Sequence, residues 1–197
     1  YIKIDVDHLG TLFVDGFRHK SDNGTYKNIF SISRYVGMSR MLNLFFNLYM
    51  KEHLNNKFSS TYTVFSGGDD LFVIMPWNGV IDFMEDMYTA FRSFVCENPD
   101  IHFSAGIELA KETFPMQKAA ARAEEHIEKA KENGRNRVYY FHTMEYEKLR
   151  EIHDVTRWFI DKLQNKESNI NRSFIYRLLH YTREALAFKK QRGNNIK

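Results

Sequence analysis

Three aspartates carry the chemistry that the sequence offers. Asp5 and Asp7 close an alternating run, Tyr1-Ile2-Lys3-Ile4-Asp5-Val6-Asp7, while Asp69 and Asp70 follow two glycines in Phe65-Ser66-Gly67-Gly68-Asp69-Asp70-Leu71. Hard divalent cations prefer carboxylate oxygens, and Mg²⁺ is typically held by one or two carboxylates together with substrate phosphates. If Asp5, Asp69 and Asp70 meet at one sheet edge, they could hold two ions, Mg²⁺ or Mn²⁺, that lower the charge on a triphosphate and activate an attacking hydroxyl. Gly67 and Gly68 have no side chains, so the backbone there can turn tightly and a nucleotide can come close to it. Taken alone, Gly-Gly-Asp-Asp also reads as an ordinary hairpin turn. Its pairing with Asp5 is what points to a site.

The elements that must position these residues follow from periodicity. Ile2, Ile4 and Val6 alternate with Lys3 and Asp5 as a first strand. A wide apolar stripe from about Asn28 to Leu54, including Ile32, Val36, Leu42, Phe45 and Phe46, predicts a long core helix. Thr61–Phe65 and Leu71–Met75 are β-rich and flank the Gly-Gly-Asp-Asp string as a hairpin. Val80 to Val95 repeats apolar residues at helical spacing, and Ile101–Ile107 alternates as a fourth strand. The order βαββαβ is that of a ferredoxin-like sheet, the α+β layout of polymerase palms, in which helices cover one face of an antiparallel sheet. A third helix is expected from Pro115 to Asn133-Gly134, followed by a short strand at Val138–Phe141. Beyond it the pattern is purely helical. The expected organisation is therefore a palm over residues 1–143 and a smaller all-α domain over 144–197.

Bulk properties set the limits. The chain has 197 residues, 43% of them hydrophobic, enough to bury a core. One cysteine, Cys96, excludes an internal disulfide, and no Cys/His cluster suggests a thiolate metal site. With no apolar run of membrane-spanning length and no signal-like start, the expectation is a cytoplasmic protein with no membrane partner. The start lies already within a strand pattern and lacks Met, as expected for part of a longer chain. The net charge of +3 is uneven: from Asn171 onward seven Lys/Arg face Glu184 alone. Such a tail could meet nucleic acid or an acidic protein, or be a solvated helix face.

Several ordered motifs resemble one family. Ile4-Asp5-Val6-Asp7-His8-Leu9-Gly10, Ser31-Ile32-Ser33-Arg34 with Ser39-Arg40-Met41-Leu42-Asn43, and Phe65-Ser66-Gly67-Gly68-Asp69-Asp70 resemble the large palm-domain subunit of type III (III-A) CRISPR effector complexes. Ser104-Ala105-Gly106-Ile107 and Ala130-Lys131-Glu132-Asn133-Gly134-Arg135-Asn136-Arg137 resemble later motifs that this family shares with diguanylate cyclases. The resemblance implies a second palm domain that converts ATP into cyclic oligoadenylates when target RNA is bound, followed by a helical domain. It implies metal ligation by Asp5, Val6 and Asp69, with Asp70 a ligand or close electrostatic partner. It assigns phosphate contacts to Lys131 and Arg135, which would join Gly67 and Gly68 at the open turn and Ser33 near the start of the long helix, where free N–H groups favour anions, and it implies other effector subunits, guide RNA and target RNA as partners.

Plainer roles stand beside these. Lys131 and Arg135, four apart at a helix end, could reach phosphate together or simply complement the helix C-terminus. Ser33 could meet a nucleotide or cap the long helix. Two other functions compete. A diguanylate cyclase shares the palm, but Asp70 is followed by Leu71 rather than Phe, and the positions that read guanine are replaced after Asp7. A non-catalytic palm that binds RNA and protein through its basic tail would be free to lose the three aspartates.

Overall fold

The computed structural model describes residues 1–20, 23–165 and 170–194. It contains two compact units, Tyr1–Arg150 and Glu151–Lys197. The first is built on a six-stranded sheet of order β4-β5-β1-β6-β7-β8. Its strands are β1 (Ile2–Val6), β4 (Tyr62–Gly67), β5 (Asp70–Ile74), β6 (Phe103–Ile107), β7 (Arg137–Tyr140) and β8 (His142–Glu145). A separate ribbon pairs β2 (Arg18–Lys20) with β3 (Tyr26–Asn28).

β1 is antiparallel to both β5 and β6, so β4, β5, β1 and β6 form the expected ferredoxin-like sheet. β7 then joins β6 in parallel and β8 closes the edge. Alternation sorts the two faces. Ile2, Ile4, Val6, Leu71, Val73, Phe103, Ala105 and Ile107 are buried on one of them. Against it lie α4 (Val80–Phe94), through Phe83, Met87 and Phe91, and the long helical segment, through Phe45, Phe46, Met50 and Leu54. Ring contacts join these layers: Phe91 meets Phe103 at 5.1 Å and Phe45 at 5.4 Å. Burying each such aromatic is worth roughly 1.5–3 kcal/mol.

The long helix is not uniform. It runs as α2 (Ile32–Leu44), a π-helical turn (Phe45–Tyr49) and α3 (Met50–Lys57), and it starts later than the apolar stripe suggested because β3 occupies Tyr26–Asn28. A short α1 (Leu9–Asp15) follows β1.

α5 (Met116–Glu132) packs on the opposite face of the sheet from α4. Gly106 makes this possible: a Cβ there would stand 2.5 Å from the Ile127 nitrogen and closer still to the Ala123 carbonyl oxygen. Small Ala119, Ala123 and Ala130 bring the helix down onto the strands. α5 lies over β6, β7 and β1.

The expected boundary at 143 falls inside β8. The first unit continues to Arg150 because Tyr146 and Leu149, at the start of α6 (Tyr146–Gln164), are buried in its core. Tyr146 stacks on Tyr88 with centroids 4.1 Å apart, and its hydroxyl donates to the Phe103 carbonyl at 3.3 Å. In the second unit α7 (Arg172–Asn194) carries Arg172, Arg177 and Arg183 with exposed Tyr176, Leu179 and Tyr181. The side chains of Lys189, Lys190 and Arg192 lie outside the described residues.

Candidate metal and nucleotide site

The hairpin between β4 and β5 is a two-residue turn in which Gly67 pairs with Asp70. Gly68 takes φ +63, with no heavy atom within 4 Å of where a Cβ would be. Glycine is thus needed for conformation there and leaves open space above the turn. Ser66 Oγ donates to the Phe46 carbonyl at 2.7 Å, which fastens the hairpin to the π-helical turn.

β1 delivers the other half of the site. Asp5 lies across the ladder from Asp70, and the Val6 N–H donates to the Asp69 carbonyl at 3.2 Å. One side-chain oxygen from each of Asp5, Asp69 and Asp70 falls within 4.8 Å of the others. Val6 is buried in the strand end, so only its backbone could serve an ion. On the same face Lys131, one residue from the end of α5, places Nζ 2.9 Å from Asp5 Oδ2 and 3.2 Å from Glu128 Oε1.

Crowding marks the electrostatics. Partial desolvation, then a hydrogen bond with Asp5 and the charges of Asp5, Asp69 and Glu124, pushes the Asp70 carboxyl up to about 7. Asp69 is raised too, first by burial and further by Asp5, against a backbone hydrogen bond and Lys131. Burial works against the Lys131 ammonium, yet Asp5 and Glu128 leave its pKa above the ordinary value. A carboxyl group that burial and neighbouring negative charge lead to hold a proton near neutrality, as Asp70 does, suits a divalent cation, which would displace it. A cavity of about 270 Å³, lined by Lys3, Asp5, Phe65, Asp70, Phe72 and Glu124, opens beside them between α5 and the exposed part of β5.

The remaining expected residues are placed less centrally. Gly134 (φ +118), Arg135 (φ +58) and Asn136 (φ +48) turn the chain after Glu132, so the side-by-side helical relation expected of Lys131 and Arg135 is broken by the glycine. Arg135 sits in the turn, with no ion-pair partner among the described residues. At the start of α2 the cap is Ser31, whose Oγ accepts from the Arg34 N–H at 3.2 Å; Ser33 is an exposed residue of the first turn. The Arg34 guanidinium donates to the Ile29 carbonyl.

Sequence reasoning passed over Asp7. Its carboxyl is fully buried, accepting from Ser104 Oγ at 2.9 Å and from the Asn136 N–H at 3.0 Å, with His102 Nδ1 at 2.7 Å. The signal available was the Asp5-Val6-Asp7 spacing, which puts two carboxyl groups on one side of a strand end.

The family described as Cas10/Cmr2, second palm domain, matches residues 1–139. The chain belongs to that family. Among relatives of this Cas10 palm, the CRISPR system single-strand-specific deoxyribonuclease Cas10/Csm1 (subtype III-A) of Methanocaldococcus jannaschii is 34% identical over 150 residues, covering 71% of this chain and 17% of the relative. The protein of the same description from Streptococcus thermophilus is 29% identical over 191 residues, 92% of this chain and 24% of the relative. A solved Csm1-Csm4 cassette in complex with one ATP aligns with a TM-score of 0.58 at 25% identity, over 70% of this chain and 20% of that one. The chain thus spans about a fifth of the length of such proteins, and the deoxyribonuclease activity named for them is a property of the whole relatives. No described helix is long and apolar enough to cross a membrane.

Proposed function

We propose that this Cas10 palm joins ATP molecules into cyclic oligoadenylates by metal-dependent nucleotidyl transfer, switched on by target RNA within a CRISPR defence complex. The observation that carries this is the convergence of Asp5, Asp69 and Asp70 within 4.8 Å at the end of β1 and the hairpin turn. A relative crystallised with one ATP, and another with AMPPNP, lend the substrate class. The other effector subunits, guide RNA and target RNA are the proposed partners, with the second unit's basic α7 as a contact surface.

The residues divide the work. Asp5, Asp69 and Asp70 would hold Mg²⁺ or Mn²⁺. When bound, such ions supply charge neutralisation of the triphosphate and a lowered pKa for the attacking ribose hydroxyl. Lys131, held beside Asp5, meets developing charge on the phosphate oxygens, and the unpaired Arg135 adds a second cation after it. Gly68 leaves the turn open to the nucleotide. Joining 3′ to 5′ with release of pyrophosphate, then closing the ring by the same reaction, requires no further catalytic group; positioning does most of the work.

The test is product formation from labelled ATP and Mg²⁺ in the intact effector, with and without target RNA. Asp69→Ala/Asp70→Ala is expected to abolish oligoadenylates while leaving the fold intact, since both carboxyl groups lie at the surface. Continued synthesis by that variant, or preferential use of GTP, would overturn the proposal.

A further inference from the structure

Among the described residues Asp7 is the one carboxyl group whose side chain is fully buried, the proposed chemistry does not use it, and its contacts join three separate parts of the chain. Ser104 and His102 come from β6 and the residue just before it. Asn136 comes from the turn after α5. That turn is held in an unusual backbone, with three consecutive residues at positive φ, two of them not glycine. Left-handed conformations are unfavourable for a residue with a Cβ, Arg135 more than Asn136, unless the surroundings hold them. Two bonds do so: the Arg135 N–H to the Ala130 carbonyl at 3.2 Å, and the Asn136 N–H to Asp7 Oδ2 at 3.0 Å. The first ties the turn back onto the end of α5. The second ties it to β1, two residues from Asp5.

We infer that Asp7 is the positioning residue of the phosphate-contact side of the site: by gripping the Asn136 amide it holds the Gly134–Asn136 turn, and with it Arg135 and the end of α5 that carries Lys131, in register with Asp5. One strand end thus does two jobs. Asp5 faces the cation, and Asp7, one pleat further on, fixes the cations of the protein that face the same nucleotide. His102 and Ser104 keep the Asp7 carboxyl from rotating away from the turn. This inference rests on the proposed nucleotide reading for its consequence, while the clamp itself stands on geometry.

The experiment compares Asp7→Ala, Asp7→Asn and Ser104→Ala in the intact protein by amide hydrogen exchange and by calorimetric binding of Mg²⁺·ATP. Asp7→Ala is expected to lose protection at residues 134–137 first, and to bind nucleotide on the order of 10- to 100-fold more weakly, the scale of a small misplacement. Asp7→Asn keeps an acceptor oxygen for the Asn136 N–H and should recover most of both. In a Lys131→Ala/Arg135→Ala background, Asp7→Ala should cost no further affinity, because it acts through those residues. A folded Asp7→Ala protein with unchanged exchange at Asn136, exchange that quickens uniformly across the sheet, or an additive loss in that background would each overturn the inference. If the unaltered protein binds no Mg²⁺·ATP, the proposed function fails; the exchange data then decide the clamp on their own.

Discussion

Asp5 and Asp70 face each other across the β1–β5 ladder, with Lys131 bonded to Asp5 from the opposite side. Partial burial, and after it the hydrogen bond with Asp5 and the repulsion between the two carboxyl groups, leave Asp70 holding its proton up to about pH 7.

The pH dependence of stability follows. An unfolded aspartate releases its proton near 3.8, whereas folded Asp70 retains it to about 7. Between those values the folded state binds more protons, so stability in the absence of divalent ions declines as pH rises from about 4 to about 7. Asp70→Asn removes this contribution. Screening by solvent at an exposed carboxyl limits the effect to about 1 kcal/mol, and a gain of about 2–4 °C in Tm at pH 8 is expected for a domain of this size. Thermal melts at pH 5 and pH 8, with and without Mg²⁺, check it: added Mg²⁺ should flatten the profile of the unaltered protein more than that of Asp70→Asn, which keeps Asp5 and Asp69.

Lys131 has two employments, pairing with Asp5 and meeting phosphate. Lys131→Ala removes a charge-assisted hydrogen bond worth about 1.5–3 kcal/mol, so Mg²⁺·ATP should bind about 10- to 100-fold more weakly. Lys131→Arg keeps the charge but not the compact ammonium, and should recover part of the loss. Calorimetry on the intact protein measures both. Equal affinity for all three would remove Lys131 from the nucleotide site.

Two glycines make opposite demands. Gly106→Ala sets a methyl group against the backbone of α5, which must move off the sheet; such overpacking costs typically about 1–3 kcal/mol and would carry Lys131 away from Asp5. Gly68→Ala meets no atom within 4 Å but must hold φ +63. Its cost is the left-handed backbone alone, about 1–2 kcal/mol. Denaturant unfolding should find both less stable. Metal binding, read by calorimetry with Mg²⁺, should weaken through the helix in the first and only locally in the second.

The site was legible where chemistry and periodicity coincide. Alternation in Ile2–Val6 and the glycine turn before Asp69 placed three carboxyl groups at one sheet edge without any contact being known. What stayed hidden had no period of its own. The π-helical turn at Phe45–Tyr49 carries the same apolar stripe as an α-helix, so one extra residue per turn leaves no mark on the pattern. β8 buries Met144 alone of its four residues, and β2 and β3 are three residues each within a polar stretch. Ser33 and Ser31 are the same residue type two positions apart, and only the geometry of the Arg34 N–H chooses Ser31 as the cap. Arg135 was counted as one helical turn from Lys131, a spacing that the positive φ of Gly134 cancels.

Ser66 links the β4–β5 hairpin to that hidden turn. In a π-helical segment the carbonyls are spaced for bonds five residues on, as the Met50 N–H to Phe45 carbonyl bond shows, and the next carbonyl, Phe46, accepts from Ser66 Oγ. Ser66→Ala loses a hydrogen bond with a net value of about 0.5–1.5 kcal/mol and leaves a partly buried carbonyl short of a partner. Ser66→Thr keeps the hydroxyl and should recover the bond. If the anchor sets the height of Asp69 and Asp70 against Asp5, Ser66→Ala should weaken Mg²⁺ binding by more than its loss of global stability explains, with faster exchange confined to the hairpin amides. Weakened stability with metal affinity unchanged would mean that the β1–β5 ladder alone positions the carboxyl groups.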